Sequence, residues 1–369
     1  MVHVTDRGGA LSQEEAGPGR GRSAISTMPE PLLRIEDLRT YIYLDEGVVH
    51  AVDGVSFTIE RGETMALVGE SGSGKSMVAQ SVLRILPDNA RIEGGRILFT
   101  PDAGPPQDLV LLPPEGKTMR AIRGGAIGLI FQEPMTSLSP VHTVGDQIGE
   151  MVRLHREASR AEARAAAIDA LRSVGFPDPE RKASAYPFEL SGGLRQRAII
   201  AMALACRPAL VSADEPTSAL DATIQIQILN LLQDLQREYG MALLIIAHDP
   251  GVVAYMADRV TVMYAGRVME TGPMAELFAR PEHPYLQALL RSTPHFGLGE
   301  DDRLKSIPGT VPDPHVPIQG CPFLSRCPEG DAELCGQAMP RLGPLAPGHL
   351  VACYKRGSVP EPMRVVRRA

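Results

Sequence analysis

The stretch Thr64–Leu86, TMALVGESGSGKSMVAQSVLRIL, decides how the rest of the chain is read. Met65–Val68 is an apolar run of the length of a buried parallel strand, and from Met77 onwards apolar residues recur at helical spacing. Between them, Gly69-Glu-Ser71-Gly72-Ser73-Gly74-Lys75-Ser76 matches G-x-x-x-x-G-K-[ST] at every fixed position. Each residue type has a physical task. Glycines let the backbone wrap closely round phosphates, so that its N–H groups and the helix N-terminus point at negative charge. Lys75 can reach the β- and γ-phosphates, and the Ser76 hydroxyl can ligate Mg²⁺. A glycine-rich turn that happens to precede a lysine is the bland alternative; the strand before and the helix after argue against it.

A nucleotide site also needs a metal-binding acid. Ala209-Leu-Val-Ser-Ala-Asp214-Glu215-Pro216 supplies one, as an apolar strand ending in adjacent carboxylates. Strand ends are where ligands gather in open α/β sheets. Asp214 is expected to hold Mg²⁺, and Glu215 to polarise the attacking water. Alone, such a run could be a strand leaving the core for solvent; beside the glycine loop it reads as chemistry.

Between these motifs lies Glu189-Leu-Ser191-Gly192-Gly193-Leu-Arg-Gln196-Arg197. Here the sequence resembles the ATP-binding-cassette (ABC) ATPases, whose signature is LSGGQ. The remaining family motifs follow in order: Gln132 in Ile130-Phe-Gln-Glu-Pro, Ser218-Ala-Leu-Asp221, and His248 in Leu244-Ile-Ile-Ala-His-Asp. Singly, Gln132 could be a surface polar residue, His248 a strand-end histidine, and Ser191-Gly-Gly an ordinary helix cap with a flexible loop. Together they imply ATP and Mg²⁺ as ligands, with Gln132, Glu215 and His248 at the reacting phosphate and Ser76, Gln132 and Asp214 at the metal. Ser191 and its glycines open a second helix start suited to anions. In the family this implies a head-to-tail dimer, each ATP held between one subunit's glycine loop and the other's signature residues Ser191, Gly192, Gly193 and D-loop Asp221.

The sequence departs from the family pattern at three places. Leu194 stands for the usual signature Gln, Phe188 for a usual His, and Pro250 for a usual Leu; none removes a reactive group. For the aromatic that stacks on adenine, Tyr41 and Tyr43 flank Ile42, and Tyr43 is the choice made from sequence.

The resemblance implies an α/β fold: a P-loop ABC ATPase core with a mixed sheet and flanking helices, an antiparallel β subdomain, an α-helical subdomain and an irregular C-terminal extension. Residues 1–31 are polar and lack the apolar core of a signal peptide, which predicts a disordered leader. Residues 32–132 are expected to form the first part of the core with the antiparallel subdomain, its strands around Leu33–Ile42 and Val55–Ile59. Residues 133–190, including the alanine-rich Ala161–Leu171, are expected to form the helical subdomain and the dock for a membrane partner. Residues 191–271 complete the core, with a strand at Val260–Tyr264, and residues 272–369 form an accessory region. Pro101–Thr118 is a proline-rich insertion with no assigned task.

Composition narrows the classes. The 369 residues are 44% hydrophobic and 22% charged, ordinary for a globular chain of two domains or one with an appendage. The longest apolar run, around Ala198–Cys206, has nine residues, far short of the roughly 18 that span a bilayer. A formal charge of −7 argues against general nucleic-acid binding.

The tail narrows the branch. His283-Pro-Tyr285-Leu-Gln-Ala-Leu289, Ile307-Pro-Gly-Thr-Val-Pro312 and a group of four cysteines resemble the C-terminal region of oligopeptide and dipeptide importer ATPases. That resemblance implies a peripheral subunit at the cytoplasmic face of the inner membrane. Its partners would be a second, related ATPase, two transmembrane permeases and, indirectly, an external solute-binding protein. Nickel, opine or glycoside importers use similar ATPases, and a soluble non-transport ABC ATPase is the remaining alternative.

The cysteines pose their own question, because only Cys206 precedes them in the chain. Cys321, Cys327, Cys335 and Cys353 are spaced C-x5-C-x7-C-x17-C. In a reducing cytosol a structural disulfide pair is disfavoured. Buried thiols, a Cys₄ zinc site and an iron–sulfur cluster compete. Structural zinc usually takes closer ligand pairs, and the peptide-importer resemblance favours [4Fe–4S], with Cys206 taking no part.

Overall fold

The computed structural model describes residues 30–359 apart from 103, 133–136, 219, 294–305 and 317. The leader expected over residues 1–31 therefore lies outside the described residues, save Glu30 and Pro31.

The apolar run of the glycine-loop motif forms β3 (Thr64–Val68), all five residues buried. It pairs in parallel with β8 (Ala242–Ala247) on one side and β9 (Arg259–Tyr264) on the other. Beyond β8 lie β7 (Leu210–Asp214) and β6 (Ile127–Ile130), also parallel. A strand covered on both faces reads as continuous apolar sequence, as ALLIIA of β8 does. Alternate side chains of β3 serve opposite cores: Ala66 and Val68 join the helical side, Met65 and Leu67 the other.

That other side is covered by a four-stranded antiparallel sheet. β1 (Leu33–Leu44) pairs with β2 (Gly47–Ile59) and with β4 (Ala90–Phe99), and β4 carries the short β5 (Gln107–Asp108). β5 lies in the proline-rich insertion, and the adjacent Leu109 is fully buried, which anchors that insertion to the sheet.

Helices Val144–Arg156 and Arg160–Ser173 follow β6, the second opened by a capping box in which Ser159 accepts from the Glu162 N–H and Glu162 accepts from the Ser159 N–H. After β9 the chain returns as antiparallel β10 (Arg267–Pro273). The proline-rich region then adds two more strands to the same sheet: β12 (His349–Val351) pairs with β10, and β11 (Gly343–Ala346) with β12. Helix Pro284–Arg291 sends Tyr285, Leu286, Leu289 and Leu290 into the main core, where Phe323 joins them. The Phe323 ring lies 5.4 Å from Tyr264 and 5.3 Å from Tyr285, contacts that add about 0.5–1.5 kcal/mol each to plain burial. The tail thus shares the core of the sheet that carries the glycine loop. Among the described residues no helix is long and apolar enough to cross a membrane.

Candidate functional site

Four of the motif residues stand at the ends of neighbouring parallel strands. The glycine loop links β3 to helix α1 (Lys75–Leu83). Gly74 caps that helix at φ +97°, and a Cβ there would run into the Ala51 carbonyl, so only glycine fits. Ser73 and Lys75 are buried, Ser71 and Gly72 exposed. The Lys75 ammonium donates to the Gly69 carbonyl (2.7 Å), the Glu70 carbonyl (3.0 Å) and the Ser73 hydroxyl (3.2 Å), which places a cation inside the loop. Burial lowers its pKa, while Glu215, Asp214 and Glu70 pull it back up.

Asp214 closes β7. Burial pushes its carboxyl up, and the Ser76 hydroxyl, hydrogen-bonded to it, pulls it down. Its Oδ1 is buried and has no hydrogen-bond partner. An orphaned carboxylate oxygen beside a serine hydroxyl is a hard-oxygen donor set, and it fits Mg²⁺.

Glu215 follows with φ +45°, a left-handed conformation that costs a non-glycine residue on the order of 1–3 kcal/mol. That turn, held by its N–H to the Ile246 carbonyl (2.9 Å), brings the carboxylate between two partners. Gln132, two residues beyond β6, donates through Nε2 to Oε2 at 2.9 Å. His248, directly after β8, has Nδ1 3.0 Å from Oε1. Three adjacent strands thus deliver a base candidate held by one amide and one imidazole, with the imidazole more than half exposed.

The signature residues are placed differently. Ser191 is the N-cap of helix Gly192–Leu204, yet its hydroxyl makes no capping bond, and Ser191 and Gly192 are exposed. Gln196, one turn on, is buried and donates to the Pro216 carbonyl at 2.8 Å, tying this helix to the carboxylate turn. Asp221 caps helix Ala222–Tyr239, accepting from the N–H groups of Thr223 and Ile224. The glycine loop and Glu215 are brought together within the chain; Ser191–Gly193 line neither the cavity at Glu215 and His248 nor the one at Gly72.

The two tyrosines offered as adenine partners stand in different settings. A broad cavity opens beside Gly72, lined by Tyr41 and His50, and Tyr43 is not among its lining residues. The two tyrosines share a strand, but a register shift between Thr40 and Ile42 separates their settings. Tyr43 donates to Glu93 at 2.7 Å beneath Arg91, whereas the Tyr41 ring stacks on His50 with centroids 4.1 Å apart. Val311, Pro312 and Val316 of the tail wall the far side of this cavity. Sequence reasoning passed over His50, which carries no motif, and singled out Val311 and Pro312 only as part of the tail's resemblance, with no link to this cavity.

All four tail cysteines line one cavity, and Cys206 lies elsewhere, its thiol against the Met151 carbonyl. Cys321 and Cys327 flank the short 3-10 turn Leu324–Arg326, Cys335 ends the one-turn helix Ala332–Cys335, and Cys353 follows β12. None of the five is in a disulfide. Burial pushes the Cys321 thiol up to about 12, and the other three thiols add to the shift. Among the described residues, no three His, Cys, Asp or Glu side chains stand close enough to hold a metal ion. The arrangement as it stands supports neither the Cys₄ zinc site nor the [4Fe–4S] cluster expected from sequence.

Comparison with known proteins places the chain. The ABC transporter family matches residues 52–218, and the oligopeptide/dipeptide transporter C-terminal region matches residues 269–335. The chain is 50% identical over 329 residues to a probable peptide ABC transporter ATP-binding protein of Sinorhizobium fredii, covering 89% of this chain and 96% of that one. It is 45% identical over 326 residues to a dipeptide transport ATP-binding protein of Bacillus subtilis, covering 88% and 95%. Among solved structures it is similar to a dimeric ATP-binding cassette in a post-hydrolysis state bound to ADP and Pi. That likeness has a TM-score of 0.57 at 27% identity, over 66% of this chain and 98% of that one. Fold, site and sequence agree: the chain belongs to the ABC transporter ATPases, in the group that carries the oligopeptide/dipeptide transporter C-terminal region.

Proposed function

We propose that this ATPase energises the uptake of di- or oligopeptides, working at the cytoplasmic face of the membrane with two permease subunits and a second cassette. The observation that carries the chemistry is the Gln132–Glu215–His248 constellation beside the lysine-filled glycine loop. The cargo class rests on the C-terminal region and the named relatives.

In this reading Glu215 polarises the attacking water, and its two partners hold the carboxylate in line. The loop amides and Lys75 bind the β- and γ-phosphates. Ser76, Asp214 and Gln132 would hold Mg²⁺, which when bound would supply charge neutralisation at the phosphates. Adenine stacks in the cavity of Tyr41 and His50. Ser191–Gly193 face the γ-phosphate bound by the partner cassette, with Asp221 at the same junction.

The four cysteines are read as ligands of a [4Fe–4S] cluster. Four thiols lining one cavity, with the C-terminal region of the peptide-transporter group around them, support this reading. Its task here is structural, clamping turns too rich in proline to build a core of their own. Anaerobically purified chain is expected to be brown with about four irons; stoichiometric zinc in colourless protein would replace the cluster with zinc, and no metal would remove both.

Co-purification from mild detergent tests the transport reading. Permease subunits travelling with this chain are the expected result. An ATPase that fractionates with ribosomes or DNA and no membrane partner would contradict it.

A further inference from the structure

The second residue of the glycine loop is an acid, and an acid is the wrong charge for a phosphate cradle. Glu70 follows Gly69, and its own carbonyl is already a partner of Lys75 at 3.0 Å. Its carboxylate is turned away and held by a residue 256 positions further along the chain. Arg326 donates to Glu70 through both terminal nitrogens, at 2.6 and 3.1 Å, the fork-on-carboxylate geometry that suits arginine. The guanidinium is buried and fully engaged: it also donates to the Pro308 and Ile307 carbonyls and to the Tyr264 hydroxyl. A second tie reaches the same loop residue. The Glu70 N–H donates to the buried Tyr285 hydroxyl at 2.8 Å, so this amide is fixed to the tail rather than facing the loop interior.

We infer that Arg326 is a positioning residue for ATP binding: it neutralises Glu70 and, with Tyr285, fixes the start of the glycine loop. The physical logic is subtraction. Without Arg326, a carboxylate free to turn toward the nucleotide stands beside Lys75 and repels the triphosphate. The repulsion between a carboxylate and a phosphate several ångströms away, at the effective dielectric of a protein surface, is enough for a several-fold loss of affinity. The inference also gives the tail a line to the ATP site, because Arg326 immediately precedes Cys327 and any loosening of those turns frees Glu70.

The inference rests on ATP occupying this loop, which nucleotide binding by the unmodified full-length chain tests separately. Equilibrium titration with a fluorescent ATP analogue then compares Arg326→Met, Glu70→Gln and the double variant. Arg326→Met is expected to weaken binding roughly five- to tenfold at low salt, less at high salt where the repulsion is screened. Glu70→Gln alone should stay within about twofold of wild type, and the double variant should return to that level. In the assembled ATPase the same defect appears in KM for ATP, with kcat held. If Arg326→Met fails to fold, Arg326→Lys keeps the charge without the fork; it should give a smaller loss that Glu70→Gln again relieves. Unchanged affinity in folded Arg326 variants, or a loss that Glu70→Gln does not relieve, would overturn the inference, the second by showing that Arg326 merely packs the tail.

Discussion

Two helices of this chain begin in glycine and serine, and they begin differently. At α1 the loop encloses its own cation, Ser73 and Lys75 are buried, and Glu215 and Asp214 both act on that lysine. At Gly192–Leu204 the capping serine makes no side-chain capping bond, Ser191 and Gly192 face solvent, and neither cavity at the nucleotide corner reaches them. One helix start is a complete cradle. The other is half of one, with its donors turned outward. Identical physics, N–H groups and a helix dipole aimed at an anion, serves a site finished within the chain in the first case and, in the proposed head-to-tail dimer, a surface for another chain in the second.

The comparison can be broken at the complete cradle first. Glu215→Gln keeps every phosphate donor and removes the base, so turnover should fall roughly 10²–10⁴-fold with ATP binding preserved. Near-normal hydrolysis by that variant, measured with both cassettes of the complex altered, would remove Glu215 from the chemistry. Lys75→Ala attacks binding instead. Losing the charge-assisted bonds to phosphate should cost about 2–3 kcal/mol, roughly 30–150-fold in Kd, read by nucleotide titration.

Smaller effects sharpen the picture away from the phosphates. Cys327→Ser should lower the iron content and open residues 320–358 to limited proteolysis, with ATP affinity falling no further than in Arg326→Met. Tyr41→Ala should weaken nucleotide binding about three- to tenfold, in keeping with the loss of one aromatic stack. Tyr43→Ala should change it by less than about twofold; the reverse order of the two tyrosines would make Tyr43 the adenine partner expected from sequence.

Much of the central sheet could be read from the chain because its strands are buried on both faces. Continuous apolar runs such as ALLIIA leave little choice of environment. The phosphate loop was equally legible, since its glycines and lysine are imposed by local geometry. The rest depends on distance in sequence. Nothing near Glu70 announces that its partner is Arg326, and nothing in a proline-rich tail announces that β12 will extend the sheet of β3. The two tyrosines could not be told apart from sequence, because the side-chain partners that distinguish them, His50 for Tyr41 and Glu93 for Tyr43, come from other strands.

The central claim is that Ser191 completes a site in another subunit rather than its own. The direct measurement is photo-crosslinking of an ATP analogue in the assembled complex, with Ser191→Arg in this chain alone. A bulky cation at that helix start should block ATP-driven closure on the partner's nucleotide, so labelling and trapping fail at the partner's site while the nucleotide held by Lys75 still binds. Loss confined to the nucleotide at Lys75, with the partner's site intact, would contradict the head-to-tail account.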